Sequence, residues 1–186
     1  MGGVIVLVGP QGSGKTTIAD HLCETAGYYR LGISDAIKRF TAEAYPLLRK
    51  ADVLTVNRFG VEHQLTGREV YQEIGARLLE FDPDFWLRVW YERYLDINDH
   101  LGDCVVIDDA RLPREVAFIR HKVARATVIR VHAHPAERDR RLGQIVGGRD
   151  QTETAWWDAG YDIDLDTTSL SREQMIEQLR LLLEAR

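Results

Sequence analysis

Residues Gly9-Pro10-Gln11-Gly12-Ser13-Gly14-Lys15-Thr16-Thr17 decide the fold of this chain. They satisfy G-x-x-x-x-G-K-[ST], the pattern of a phosphate-binding loop, at every position. Glycines there let backbone N–H groups close around a polyphosphate with no Cβ in the way. Lys15 is placed to reach the β- and γ-phosphates and the Thr16 hydroxyl to hold Mg²⁺, with Gly12, Ser13, Gly14 and Thr17 completing the cradle. The context agrees. Val4 to Val8 is a continuous apolar run, as a strand buried on both faces requires. A helix is expected over 15–26, its N-terminus adding partial positive charge to the anion site. The loop implies a bound nucleoside triphosphate.

Composition narrows the class. A length of 186 residues predicts one domain, 1–186, with a substantial core. Hydrophobic content of 45% and charged content of 28% are ordinary for a globular protein. No apolar run approaches the roughly 20 residues that span a bilayer, so no membrane segment is expected. The first strand begins at residue 4, which predicts no signal peptide and a cytoplasmic location. The two cysteines, Cys23 and Cys104, are far apart and fit reduced thiols in that compartment. A net charge of −5 argues against a broad nucleic-acid surface.

Strands and helices alternate outward from the loop. Strands are expected at 4–8, 28–32, 104–108, 127–132 and 161–165. Helices are expected at 15–26, 34–49, 67–80, 84–100, 112–122, 135–145 and 171–185. This alternation predicts an α/β fold, a parallel sheet with helices on both faces. Residues 50–66 and 143–160 have weak periodicity and several glycines, so both are expected as mobile connections that can close over ligand. Exposed faces on the helices between 67 and 100 leave room for a homodimer.

Further charges gather where an open parallel sheet binds ligands, at strand ends and helix starts. Val105-Val106-Ile107-Asp108-Asp109 ends an apolar strand in carboxylates. Asp109, with Arg111 two residues on, is taken as the residue that accepts hydrogen bonds from Mg²⁺-bound water, and Arg111 as facing an anionic substrate. Lys38 and Arg68, each at the start of a helix, are the other candidate anion ligands. Arg138 and Arg141 share a helix face, whereas Arg140 points elsewhere. An arginine there can neutralise charge on a transferring phosphoryl group. Of the adjacent Trp156 and Trp157, one can stack on a base or anchor its loop.

In order along the chain, these stretches resemble the bacteriophage deoxynucleoside monophosphate kinases, a branch of the P-loop nucleotide kinases. The resemblance is carried by the loop at 9–17, Leu31 to Lys38, and Arg68-x-x-x-Gln72-x-x-Gly75 with Asp84-Phe85-Trp86. Val106 to Arg111 with Glu115, and the tail from Thr152-Glu153 to Leu170, continue it. It implies a five-stranded parallel sheet in the order 2-3-1-4-5, an acceptor-binding region at about 33–100 and a lid at about 134–158. It also implies ATP and Mg²⁺ as cofactors and phosphorylation of a deoxynucleoside 5′-monophosphate, a small-molecule partner. Lys38, Arg68 and Arg111 would hold the acceptor, Gln72, Trp86 and Glu115 would shape its base and sugar pocket, and Gly75 would allow close approach. Ala76 stands where the family often has Thr, and the 50–66 connection is shorter than in better-known members.

Two other classes stay open. A kinase acting on a hydroxyl acceptor favours a positioned carboxylate, for which Asp35 is the candidate, against its alternative as a helix-start residue. A regulatory NTP-binding switch ranks lower, because no N-K-x-D segment is present and Asp166-Thr167-Thr168 does not replace it.

Overall fold

A computed structural model describes residues 3–102, 104–143 and 155–185, with the side chains of residues 101, 155 and 156 outside the description. The 144–154 part of the expected lid therefore lies outside the described residues. The elements are β1 (Val4–Val8), α1 (Lys15–Ala26), β2 (Tyr29–Arg30), α2 (Ser34–Ala44), β3 (Val53–Arg58), β4 (Val61–Thr66), α3 (Gly67–Phe81) and α4 (Phe85–Leu101). They continue as β5 (Val105–Ala110), α5 (Pro113–Lys122), β6 (Ala126–His132), α6 (Pro135–Leu142), a 3-10 turn at Ala155–Asp158, β7 (Ile163–Asp166) and α7 (Arg172–Glu184).

The chain divides into two compact units, one of residues 1–32 and 94–186 and one of residues 33–93. The first holds a five-stranded sheet in the order β2-β5-β1-β6-β7, every pair parallel. Counting this sheet's own strands, that is 2-3-1-4-5; β3 and β4 shift only the numbering. One face of the sheet places Ile5, Leu7, Val106, Ile129, Val131, Ile163 and Leu165 in a core with Ile18 and Leu22 of α1 and Met175 and Leu179 of α7. Each such side chain, fully buried, contributes roughly 1.5–3 kcal/mol. The β-branched runs in β1, β5 and β6 are what a strand covered on both faces selects.

The second unit corrects the expectation of a mobile connection at 50–66. Those residues form an antiparallel hairpin, β3 with β4, in register from Val53↔Thr66 to Arg58↔Val61. Its two-residue loop, Phe59-Gly60, has φ of 53° and 86°. Both values are positive, as a turn that matches strand twist requires. The usual sequence signal is Asn-Gly or Asp-Gly, and Phe59 hides it. Asn57 supplies the missing polar group, its side-chain oxygen accepting from Gly60 N at 2.9 Å. Arg58 pairs with Glu73, so the hairpin is tied to α3.

A second correction concerns α2, expected to run to residue 49 but ending at Ala44. Pro46 cannot donate its missing N–H and pushes Tyr45 out of the helical region, to φ −134° and ψ 70°. The remaining boundaries move by a few residues. β2 is the shortest strand, and α3 opens on a capping box between Thr66 and Glu69.

Candidate active site

The phosphate loop follows directly on β1. At Gly9, φ 143°, a Cβ would lie 1.9 Å from the Val131 carbonyl oxygen of β6, so only glycine lets the chain turn here against the neighbouring strand. Gly14, φ 103°, delivers the chain into α1. The Lys15 ammonium donates to the carbonyls of Gly9 and Pro10, both at 2.7 Å, keeping a cation inside the loop. Ser13 Oγ and Arg138 Nε are buried with no hydrogen-bond partner among the described residues. A glycine cradle, an internal ammonium and two unsatisfied polar atoms fit a polyphosphate.

Beside the loop, the carboxylate that meets Thr16 is that of Asp108. Thr16 Oγ1 donates to Asp108 Oδ2 at 3.3 Å, whereas the sequence points to Asp109 as the carboxylate facing Mg²⁺-bound water. β1 and β5 pair Val6↔Ile107 and then Val8↔Ala110, so Asp108 and Asp109 together oppose the single residue Leu7. This bulge re-aims side chains at the strand end, and a count along the strand misses it. Asp108 also accepts from Arg30 Nε at 3.0 Å and from Arg30 Nη2, while Arg30 Nη1 reaches Asp20 at 2.9 Å. Burial lowers the Arg30 pKa, but hydrogen bonding and the charges of Asp108 and Asp20 raise it overall. A hydroxyl with a carboxylate behind it is an oxygen donor set suited to Mg²⁺.

Glu115 has structural work at the start of α5. Its Oε2 accepts from the backbone N–H of Arg111 at 2.7 Å and of Leu112 at 2.9 Å. Burial pushes its carboxyl pKa up, and these two bonds pull against that shift without cancelling it. Glu115 thereby fixes the backbone of Arg111, whose own residue is exposed.

Helix α6 sets two of its three arginines on the loop. Pro135 opens the helix and His134 Nδ1 accepts from Ala136 N. Arg141 Nε donates to Glu137 at 2.8 Å, Nη1 to Gly12 O at 3.3 Å and Thr167 Oγ1 at 3.0 Å, and Nη2 to Thr167 O at 2.6 Å. Thr167 is fully buried and donates to Ser13 O at 2.8 Å or His132 O at 3.1 Å. Arg141 is thus a clamp that joins α6, the loop and the segment after β7. Arg138 is less committed: Nη1 reaches Gln11 O at 3.3 Å and Nε has no partner among the described residues. Arg140 turns away to Glu137.

In the second unit, Lys38 Nζ donates to Asp35 Oδ1 at 2.6 Å, and Arg68 and Gln72 are exposed. The ring of Trp86 is only 3% exposed, so it is no open stacking platform. Its indole N–H donates to Gly75 O at 3.0 Å, and Phe40 and Phe85 meet it edge-on. At Gly75 a Cβ would sit 3.2 Å from Ile37 Cδ1, so the glycine serves helix packing. Trp157, in the first unit, covers the Arg130 guanidinium at 4.9 Å, with Tyr161 at 3.8 Å, and Arg130 is bidentate to Asp164 at 2.7 Å. That makes Trp157 a loop anchor. The sequence gives no site role to Asp108, Arg30 or Thr167; two adjacent aspartates at a strand end are the available signal for the first.

Known proteins place this geometry. The structure of a sugar kinase from Janibacter sp. HTCC2649 matches with a TM-score of 0.57 at 16% identity, covering 99% of this chain and 95% of that one. A shikimate kinase from Acinetobacter baumannii matches at 0.53 and 16% identity, covering 99% and 94%. The fold is that of the P-loop kinases. A family described as an AAA domain matches residues 4–77, the segment with the loop. A protein of Acanthamoeba polyphaga mimivirus, provisionally named a deoxynucleotide monophosphate kinase, is 28% identical over 162 residues, spanning 72% of this chain and 80% of that protein. The resemblance read from the sequence thus has a viral counterpart, and the chain is similar to P-loop kinases in its loop segment and in its fold. Among the described residues no helix is long and apolar enough to cross a membrane.

Proposed function

We propose that this P-loop kinase transfers the γ-phosphoryl group of ATP to the 5′-phosphate of a deoxynucleoside monophosphate. An acceptor phosphate oxygen bonds to the γ-phosphorus, the bond to the β–γ bridging oxygen breaks, and ADP leaves. The observation that carries this acceptor is the mimivirus relative, similar over 72% of the chain. Mg²⁺, when bound, supplies neutralising charge on the donor phosphates, and Thr16 and Asp108 are the residues that would hold it, Asp108 through water.

The chain's own residues then divide the work. Lys15 exchanges the carbonyls of Gly9 and Pro10 for donor phosphates. Arg138 has guanidinium capacity for charge on the transferring group, while Arg141 keeps the loop in shape. Lys38, Arg68 and Arg111 are the cations proposed for the acceptor. A phosphate acceptor is already ionised, so no general base is needed. Asp35, the base a hydroxyl acceptor would require, gives one oxygen to Lys38, which supports the phosphate reading. Coupled ADP release across the deoxynucleoside and ribonucleoside monophosphates tests the proposal. Turnover with a sugar, nucleoside or DNA hydroxyl and with no monophosphate overturns it.

A further inference from the structure

Four side chains on three elements close a ring beside the phosphate loop. Thr16 and Asp20 lie four apart on α1 and so share a helix face. Thr16 donates to Asp108 on β5, Arg30 at the end of β2 holds Asp108 through two of its nitrogens, and its third nitrogen returns to Asp20. The register explains why they meet. Arg30 pairs with Val106 in the parallel β2–β5 ladder, two residues before Asp108. The long arginine stem spans that offset, and the bulge at Asp108 and Asp109 leaves the Asp108 carboxylate within its reach.

We propose that Arg30 is the positioning residue of the metal-facing carboxylate. A lone aspartate at a strand end can rotate about two torsions. The planar guanidinium fork engages both carboxylate oxygens at once and fixes that plane, with Oδ2 on Thr16. Asp20 keeps the fork from following an incoming phosphate, because Nη1 is already held at 2.9 Å. The charges are consistent with this task. Asp20 and Asp108 with Arg30 sum to one negative charge beside the Thr16 hydroxyl, favouring a hydrated divalent cation without a strong, rigid anionic cage. Such outer partners of a metal site orient its ligands, and their loss weakens metal binding.

The inference concerns only the donor half of the site, so it is read without any acceptor. The probe is methylanthraniloyl-ATP fluorescence, titrated with MgCl₂, in the parent and in R30K and D20N. R30K keeps the charge and loses the fork. The expected result is an increase of about tenfold in the Mg²⁺ concentration for half-maximal binding in R30K. D20N moves the same way by a smaller factor, and nucleotide affinity without Mg²⁺ stays within about twofold in both. Thermal melts without ligand identify a variant that fails to fold, and D20N then carries the test. Unchanged Mg²⁺ dependence in both folded variants overturns the inference. So does equal weakening with and without Mg²⁺, which would make Arg30 a phosphate ligand. A parent whose nucleotide binding ignores Mg²⁺ overturns the metal reading of Thr16 and Asp108 as a whole.

Discussion

Thr167 gives the sharpest stability test of the loop's support. Thr167→Val preserves the side-chain shape and removes a hydroxyl that is fully buried. That hydroxyl donates to Ser13 O and accepts from Arg141 Nη1. A stranded buried carbonyl costs about 1–3 kcal/mol, and a bond to a charged group contributes about 1.5–3 kcal/mol. Arg141 keeps the Thr167 carbonyl at 2.6 Å and Glu137 at 2.8 Å, so its share falls at the lower end. The expected loss is about 2–3 kcal/mol. For a domain of this size that lowers Tm by about 4–12 °C. Differential scanning fluorimetry measures it, with Thr167→Ser, which keeps the hydroxyl, as the milder comparison. A Thr167→Val protein melting within about 1 °C of the parent refutes the claim that this hydroxyl supports the loop.

Three further outcomes follow from the same geometry. D108N should raise the Mg²⁺ requirement about 10- to 100-fold while D109N leaves it within about twofold; equal effects would undo the reassignment. Arg138→Ala should lower turnover by about 10²-fold with Tm little changed, whereas Arg141→Ala should lower Tm. Glu137, held by Arg140 and Arg141, has its carboxyl pKa lowered to about 2. Its folded pKa lies below the unfolded value of about 4.3, so its contribution is present above that value and fades as pH falls toward about 2. Melts across that window should show the parent losing stability that an E137Q variant does not; parallel curves would contradict this.

The parts legible in the sequence were those written in contiguous residues. The loop at Gly9 to Thr17 needs only glycines and a lysine at fixed spacing, and the inner strands announce themselves as β-branched runs. What depended on distant or exceptional geometry was not legible. Phe59 at positive φ concealed a hairpin, and a bulge at the end of β5 hid that Asp108 is the residue meeting Thr16. Thr167 meets Ser13 across 154 positions and Arg30 meets Asp108 across 78, so nothing local marks either residue. Trp86 and Glu115 enter the substrate pocket only through the family resemblance; in the structure the first bonds Gly75 and the second caps α5. Lys38 and Asp35 are read from the sequence as an anion ligand and a candidate base, and their pairing across one turn of α2 is not marked by either residue alone.

The central claim is settled most directly by where the γ-phosphoryl group goes. The enzyme is incubated with γ-³²P-ATP, Mg²⁺ and each deoxynucleoside monophosphate in turn, and the products are separated by ion-exchange chromatography. The account predicts label in the β-phosphate of a deoxynucleoside diphosphate. Label appearing only as inorganic phosphate, or only in the ester of a hydroxyl acceptor supplied in its place, would contradict it.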